Sequence, residues 1–186
     1  MDHTRAIYRN LLEALYERAL LGEVTPQLKQ RLRPLGLDLD RPLPTSLSVP
    51  AYSRCLHITV EEIYPGRPPE EGMYALSRRL TCAYWDSPTG RASARLIRLV
   101  GPQRMLSWVG RIFRTLDSYS SVSVSEEGPR QFRVQTNAIS VPPGFGRGVF
   151  EELLMLAGAH EPRVETLADT GCGEGYRVRW SDPPGG

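Results

Sequence analysis

Strict two-residue alternation near the C-terminal end constrains this chain more than any other feature. In Tyr119-Ser120-Ser121-Val122-Ser123-Val124-Ser125 the valines fall on one side and serines on the other. Gln131 to Thr136 repeats the pattern, with Phe132, Val134 and Thr136 sharing a side. A period of two with one apolar face is what a half-buried strand requires. Glu126-Glu127-Gly128-Pro129 supplies turn residues between them, so the two segments predict an antiparallel hairpin. A second hairpin follows. Tyr176, Val178 and Trp180 alternate with Arg177, Arg179 and Ser181, and Val164, Thr166 and Ala168 form the partner across the loop from Thr170 to Gly175.

Between the hairpins, Val149 to Ala157 changes period: Phe150, Leu153, Leu154 and Ala157 fall on one helical stripe, and Gly158 is placed to stop the helix. A sheet with one apolar face needs that face covered, so this helix is expected to lie on it. The fold class expected is α+β, with N-terminal helices packed on a C-terminal four-stranded antiparallel sheet of hairpin–helix–hairpin order. Residues 1–182 read as a single domain, its helical part 4–117 and its sheet part 118–181, with 183–186 a tail.

Six helices are predicted upstream. The first carries Ile7, Leu11, Leu15 and Leu20 with Tyr8, Leu12, Tyr16 and Ala19 beside them, and ends at Gly22. Thr25-Pro26 opens the second, which Gly36 terminates, and an extended connector runs from Leu37 to Val49. The third begins at Pro50 with Tyr52, Leu56, Val60 and Ile63 on one stripe; the fourth follows Pro68 with Met73, Leu76, Leu80 and Ala83 inward. A fifth, Thr89 to Val100, is expected to turn Ala92, Leu96 and Leu99 inward and Arg91, Arg95 and Arg98 outward. Gly101-Pro102 separates a sixth, with Leu106, Val109, Phe113 and Leu116 inward.

Composition narrows function mainly by exclusion. The net charge of +2 commits the chain to neither nucleic acid nor an anionic membrane, and no apolar run reaches the length of a membrane span. Three separated cysteines, Cys55, Cys82 and Cys172, provide no disulfide framework, and no secretory leader is evident, so a cytoplasmic location is expected. Charge is uneven along the chain: residues 67–114 hold nine arginines against three acids, and 115–186 hold six against ten. The stripe Arg91, Arg95, Arg98 is a candidate anion-binding face. The competing expectation is a solvated helix face paired with the acidic C-terminal third.

Catalytic patterns do not form. Gly144-Phe145-Gly146-Arg147-Gly148 approaches a dinucleotide-binding loop, but Val149 stands at its third glycine position and hairpins flank it; close helix–sheet packing is the expected use of these glycines. His57 and Glu61 supply two donors one turn apart, where a metal needs three or more. Cys172 in Thr-Gly-Cys-Gly-Glu-Gly has no histidine near it in sequence. The chain is therefore expected to be no enzyme, with no catalytic residue, metal or cofactor.

Two resemblances enter at this point. Gly36 to Leu43, Tyr64-Pro65-Gly66, Thr89-Gly90-Arg91-Ala92, Phe113-Arg114-Thr115 and Gly175 to Trp180 resemble an uncharacterised paralogous family from myxobacteria. More remotely, helices followed by hairpin–helix–hairpin are similar to the superfamily of heme-based nitric-oxide sensor domains, 4-vinyl-reductase-type ligand domains and TRAPP trafficking subunits. The heme branch uses a proximal histidine on a helix before the sheet and a Tyr-x-Ser-x-Arg motif. Here the sixth helix has no histidine, and Tyr119-Ser120-Ser121-Val122-Ser123 lacks the arginine and sits on the first strand of the sheet rather than the second. Only Cys172 answers to the paired cysteines of the vinyl-reductase type. The resemblance implies a regulatory, sensor-like domain that binds a small apolar ligand between helices and sheet. Phe113, Tyr119, Phe150, Cys172, Tyr176 and Trp180 are the candidate ligand contacts. Its other branch implies a dimerising protein–protein adaptor, for which the apolar width of the first helix, Tyr8, Leu11, Leu12 and Leu15, is the candidate face. Neither reading calls for nucleic acid.

Overall fold

The C-terminal sheet forms as its alternation requires. The computed structural model describes residues 5–137, 142–167 and 173–181. Strands β3 (Val122–Gly128), β4 (Gln131–Thr136), β5 (His160–Leu167) and β6 (Gly175–Ser181) make one antiparallel sheet in the order β3-β4-β6-β5. Directly paired residues share a face, and the register Val124↔Val134↔Tyr176, with Phe132↔Val178↔Val164, gathers the apolar set on one side. The other side carries Ser123, Ser125, Arg133, Arg177 and Arg179; Glu127 and Glu165 answer Arg177 at 2.8 Å and Arg179 at 2.7 Å. The platform is wet on one side only.

Helix α6 (Phe145–Leu156) connects the hairpins and lies on the apolar face, burying Phe150, Leu153 and Leu154. Gly158 adopts φ +86, the left-handed stop expected of it. The helix starts four residues earlier than its apolar stripe indicates, because Gly144 turns the chain with φ +87 into a position against the Glu70 carbonyl. Gly146 faces the Tyr176 ring, and Gly148 faces Ser77 and the Tyr74 carbonyl. The glycines of this loop thus serve close packing against sheet and helix.

Around this platform stand α2 (Pro26–Leu32), extended by a 3₁₀ turn Arg33–Leu35, α3 (Val49–Ile63), α4 (Pro69–Trp85) and α5 (Pro88–Phe113). Thr25, Ser48 and Ser87 cap α2, α3 and α5 by accepting from the N–H groups of Leu28, Ala51 and Gly90, each followed by proline in the first turn. Gly101, with φ 77 and ψ 171, and Pro102 kink α5 where the sequence places a break between two helices.

Several expectations are corrected. Residues Ala6–Tyr8 form a strand, β1, paired antiparallel with β2 (Ser46–Ser48) from the connector, so Ile7 enters the core from a strand rather than a helix. The helix α1 (Arg9–Leu12) then widens into a π-helical segment, Glu13–Ala19, closed by the Leu20 N–H bonding the Leu15 carbonyl at 3.0 Å. The wider turn brings positions five apart onto one face, and Leu12, Leu15 and Leu20 are all fully buried. The first helix therefore has no apolar surplus for a partner: Leu11 is half-buried and only Tyr8 of the proposed face is exposed. In the first half of α5, Gly90, Ala94 and Ile97 face inward, while Ala92, Leu96 and Leu99 face solvent. Gly90 sets that rotation, since it packs against the Tyr84 backbone where any side chain would collide. Finally, β3 begins at Val122, so Tyr119 precedes the strand.

Candidate functional site

A cavity of about 120 Å³ lies between the apolar face of the sheet and the helices. Tyr52 and Leu56 of α3, Leu80, Tyr84 and Trp85 of α4 and Phe113 of α5 form the helical wall. Phe145, Gly146, Val149 and Leu153 of α6 close another side, and Thr136 and Tyr176 contribute from the sheet. Ile7 and Leu11 complete it because β1 is tied to the connection between α5 and β3. The Tyr8 N–H donates to the Leu116 carbonyl at 2.9 Å, and the Ser118 N–H to the Ala6 carbonyl at 3.0 Å.

Most of the wall is hydrocarbon, so its few polar groups carry the chemistry. Asp117 is committed to the backbone: its carboxylate accepts from the N–H of Tyr119 at 2.9 Å and from the N–H and hydroxyl of Ser120, both at 2.6 Å. Glu174 accepts from the Tyr176 hydroxyl. Two further donors belong to lining residues but are closed off from the cavity space itself. The Tyr52 hydroxyl and the Trp85 indole N–H are buried and have no hydrogen-bond partner among the described residues. Among those residues no arginine, lysine or histidine lines the cavity.

Burial pushes the Tyr119 phenol up to about 12 and also raises those of Tyr16, Tyr52 and Tyr176 well above the ordinary phenol value, with neighbouring Cys55, Asp117 or Glu174 adding to the effect. A phenol whose folded-state pKa is raised contributes its stability in full below the ordinary value of roughly 10 and loses it as pH climbs through the folded value. Four tyrosines are so affected, so the protein is expected to unfold cooperatively above about pH 10. Tyrosinate absorbance from these four should appear together with loss of circular dichroism, which a combined spectrophotometric titration checks; phenols ionising well before unfolding would contradict their burial.

The structure brings Phe113, Tyr119 and Tyr176 to the cavity wall. Phe150 sits immediately behind it, 5.8 Å ring to ring from Phe113 and 5.0 Å from Tyr176. Trp180 does not reach the site: it stacks on Phe132 at 5.6 Å toward the far end of β6. Cys172 lies outside the described residues. Arg91, Arg95 and Arg98 are exposed, with no ion pair among the described residues. The expected pairing with the acidic third is not formed among the described residues; Glu127, Glu152 and Glu165 pair instead with Arg177, Arg78 and Arg179. His57 is exposed and its neighbour Glu61 pairs with Arg31 at 2.5 Å. Among the described residues no three His, Cys, Asp or Glu side chains converge on a metal site. Sequence reasoning does not single out Tyr52 and Trp85 as site residues. The signal available is that a polar-tipped aromatic on a core-facing stripe needs a partner for its tip.

Comparison with known proteins adds family and fold. The pattern of a family described as protein of unknown function (DUF2378) matches residues 5–181. No curated protein matches the chain. Among solved structures, the chain is similar to the Fe(II) unliganded H-NOX protein from K. algicida, at 11% identity and TM-score 0.64 over 94% of this chain and 96% of that one. A point mutant of the T. Tengcongensis H-NOX gives 11%, 0.67, 94% and 97%. A structure from work on heme distortion in the H-NOX family gives 12%, 0.65, 94% and 93%. At these identities the likeness is one of fold. No helix among the described residues is long and apolar enough to cross a membrane.

Proposed function

We propose, from the premise that the chain belongs to the DUF2378 family of proteins of unknown function, that it is a non-enzymatic, sensor-like regulatory domain. It binds a small, largely apolar ligand between helices and sheet. The observation that carries this reading is the cavity itself, walled by aromatic and aliphatic side chains at the junction of α3, α4, α5, α6 and the sheet. Occupancy there touches five helices and three strands at once, which gives a bound ligand leverage on how the helical layer sits on the platform.

Heme, the group named for the H-NOX structures, does not fit the described residues. Among them no imidazole or thiolate faces the cavity to ligate iron, no cation is present to receive propionates, and the two carboxylates in the wall already accept hydrogen bonds. The volume is that of a cavity holding a benzene-sized molecule, roughly 150 Å³ in a well-studied engineered case, and falls far short of a porphyrin. Hemin titration is expected to yield no Soret band of an axially ligated heme. A thermal-shift series of small apolar molecules, run on the wild type and on Val149→Phe, tests the positive side. Stabilisation of the wild type that Val149→Phe abolishes is the expected result, and no stabilisation by any member rejects the reading.

A second reading, the dimerising adaptor, is favoured by a different surface from the one the sequence indicates. Leu96 and Leu99 are 49% and 84% exposed on α5, which also carries the exposed Arg91, Arg95 and Arg98. Concentration-dependent light scattering of wild type and Leu99→Glu separates the two. Association lost in the variant supports the adaptor; a monomer throughout supports the ligand domain.

A further inference from the structure

Charge and hydrophobicity meet on the outer face of α5 in a way the cavity does not use. From Ser87 to Leu116 the chain carries six arginines and no acidic residue. All six, Arg91, Arg95, Arg98, Arg104, Arg111 and Arg114, are exposed and have no ion pair among the described residues. Elsewhere arginines find acids: Arg31, Arg33, Arg78, Arg79, Arg177 and Arg179 each pair with a carboxylate. The half of α5 before the kink at Gly101 buries Gly90, Ala94 and Ile97. At about 100° per residue, Arg91, Arg95 and Arg98 form one row along about 10 Å of that helix. Ala92 and Leu99 project directly away from the buried side, with Leu96 next to them and the arginine row on their other flank.

The partner must answer both features. Nucleic acid would take the arginines and leave the leucines in water. A second copy of the chain would set the row against its own like charge. A protein anchor is poorly served, because the exposed positions from Thr89 to Leu99 include no aromatic residue, the type that dominates protein hot spots. The interface of an anionic bilayer matches both: headgroup phosphates and carboxylates accept from guanidinium forks, while the acyl boundary takes leucine. A helix lying in that plane needs no spanning length, and no described helix has one. We infer that the first half of α5 docks the chain peripherally on an anionic lipid surface. Leu96 and Leu99 enter the acyl boundary, and Arg91, Arg95 and Arg98 sit at headgroup level. This surface is separate from the cavity, so it goes beyond the ligand-binding reading and does not depend on it.

The test is co-sedimentation of the full chain with phosphatidylcholine vesicles, with and without phosphatidylserine, at physiological salt. Binding is expected only where phosphatidylserine is present. Replacing Arg91, Arg95 and Arg98 together by glutamine should weaken partitioning about a hundredfold, roughly fivefold for each charge. Leu99→Gln should weaken it about tenfold, through the lost apolar burial. These side chains are exposed, so thermal melts of the variants should match the wild type and separate lost binding from lost folding. A direct readout is Leu99→Trp, whose added emission should shift to the blue on phosphatidylserine vesicles and be quenched by brominated acyl chains. Vesicle binding that Leu99→Gln leaves intact would overturn the inference, since charge alone would then hold the chain. So would a short DNA duplex bound more tightly than the vesicles, which assigns the row to nucleic acid. Absence of vesicle binding, with self-association lost in Leu99→Glu, would overturn it in favour of the adaptor.

Discussion

Truncation of Phe150 to alanine is expected to cost about 4 kcal/mol, the upper range for a fully buried aromatic in a core. Its ring is 1% exposed and is the largest of the fully buried side chains. It contacts Phe113 on the helical side and Tyr176 on the sheet side, so it joins the two layers that enclose the cavity. For a chain of this length the corresponding fall in Tm is about 8–16 °C. Calorimetry or denaturant melts measure it, and a fall below about 3 °C would show that the ring does not join the layers as its contacts indicate. Phe150→Leu keeps most of the volume and should cost about 1 kcal/mol. The alanine variant also merges the vacated ring space with the cavity behind which it stands. Apolar ligands larger than those the wild type accepts should therefore stabilise Phe150→Ala, so the same substitution that weakens the fold widens the site.

Much of the architecture is legible in the sequence because the sheet is half-wet. A strand with one solvated face must alternate, and the serines of β3 and arginines of β6 mark that face as clearly as Val134 and Val178 mark the other. Capping residues with following prolines mark the helix starts for the same reason: their chemistry is local. What is not legible depends on long-range contact. Nothing around Ala6–Tyr8 announces a strand, because its partners come from Ser46–Ser48 and the Leu116–Ser118 turn. The π-helical widening after Leu12 shifts the phase of the buried stripe, which a fixed 3.6-residue period cannot follow. In the first half of α5, hydrophobicity alone points the wrong face inward, because a leucine is ordinarily the better core residue. Close approach to the Tyr84 backbone permits only Gly90 at that contact, and this rotates Leu96 and Leu99 out. Of the candidate ligand residues, Phe113, Tyr119 and Tyr176 are recognisable as large aromatics adjoining the sheet. Trp180 has the same alternation as Tyr176 but lies further along β6, where Phe132 covers it. The unpartnered tips of Tyr52 and Trp85 are a property of surroundings that no local pattern encodes.

Two helical glycines should respond to alanine with opposite signs, and the contrast tests how α6 is held. In an isolated helix, alanine is favoured over glycine by about 1 kcal/mol, whichever position is changed. At Gly110 in α5 the added methyl would meet Val122 at 3.6 Å, an ordinary contact, so Gly110→Ala should raise stability by about 0.5–1 kcal/mol. At Gly148 the methyl would run into the Ser77 hydroxyl and come within 2.7 Å of the Tyr74 carbonyl, a backbone atom fixed by α4. Ser77 cannot swing aside freely, since it is fully buried and donates to that same carbonyl at 2.9 Å. Relief requires α6 to back away from α4, which breaks the packing of Leu153 and Leu154 and strains the neighbouring pairs of Arg78 with Glu152 and Tyr74 with Glu151. Gly148→Ala is therefore expected to lose about 3 kcal/mol despite its better helix propensity, a Tm lower by about 6–12 °C. Ser77→Ala should rescue only part of that loss, because the Tyr74 carbonyl remains in place. Full rescue would mean that the side chain alone limits the approach, and a neutral Gly148→Ala would mean that α6 and α4 are not in the contact on which the cavity wall depends.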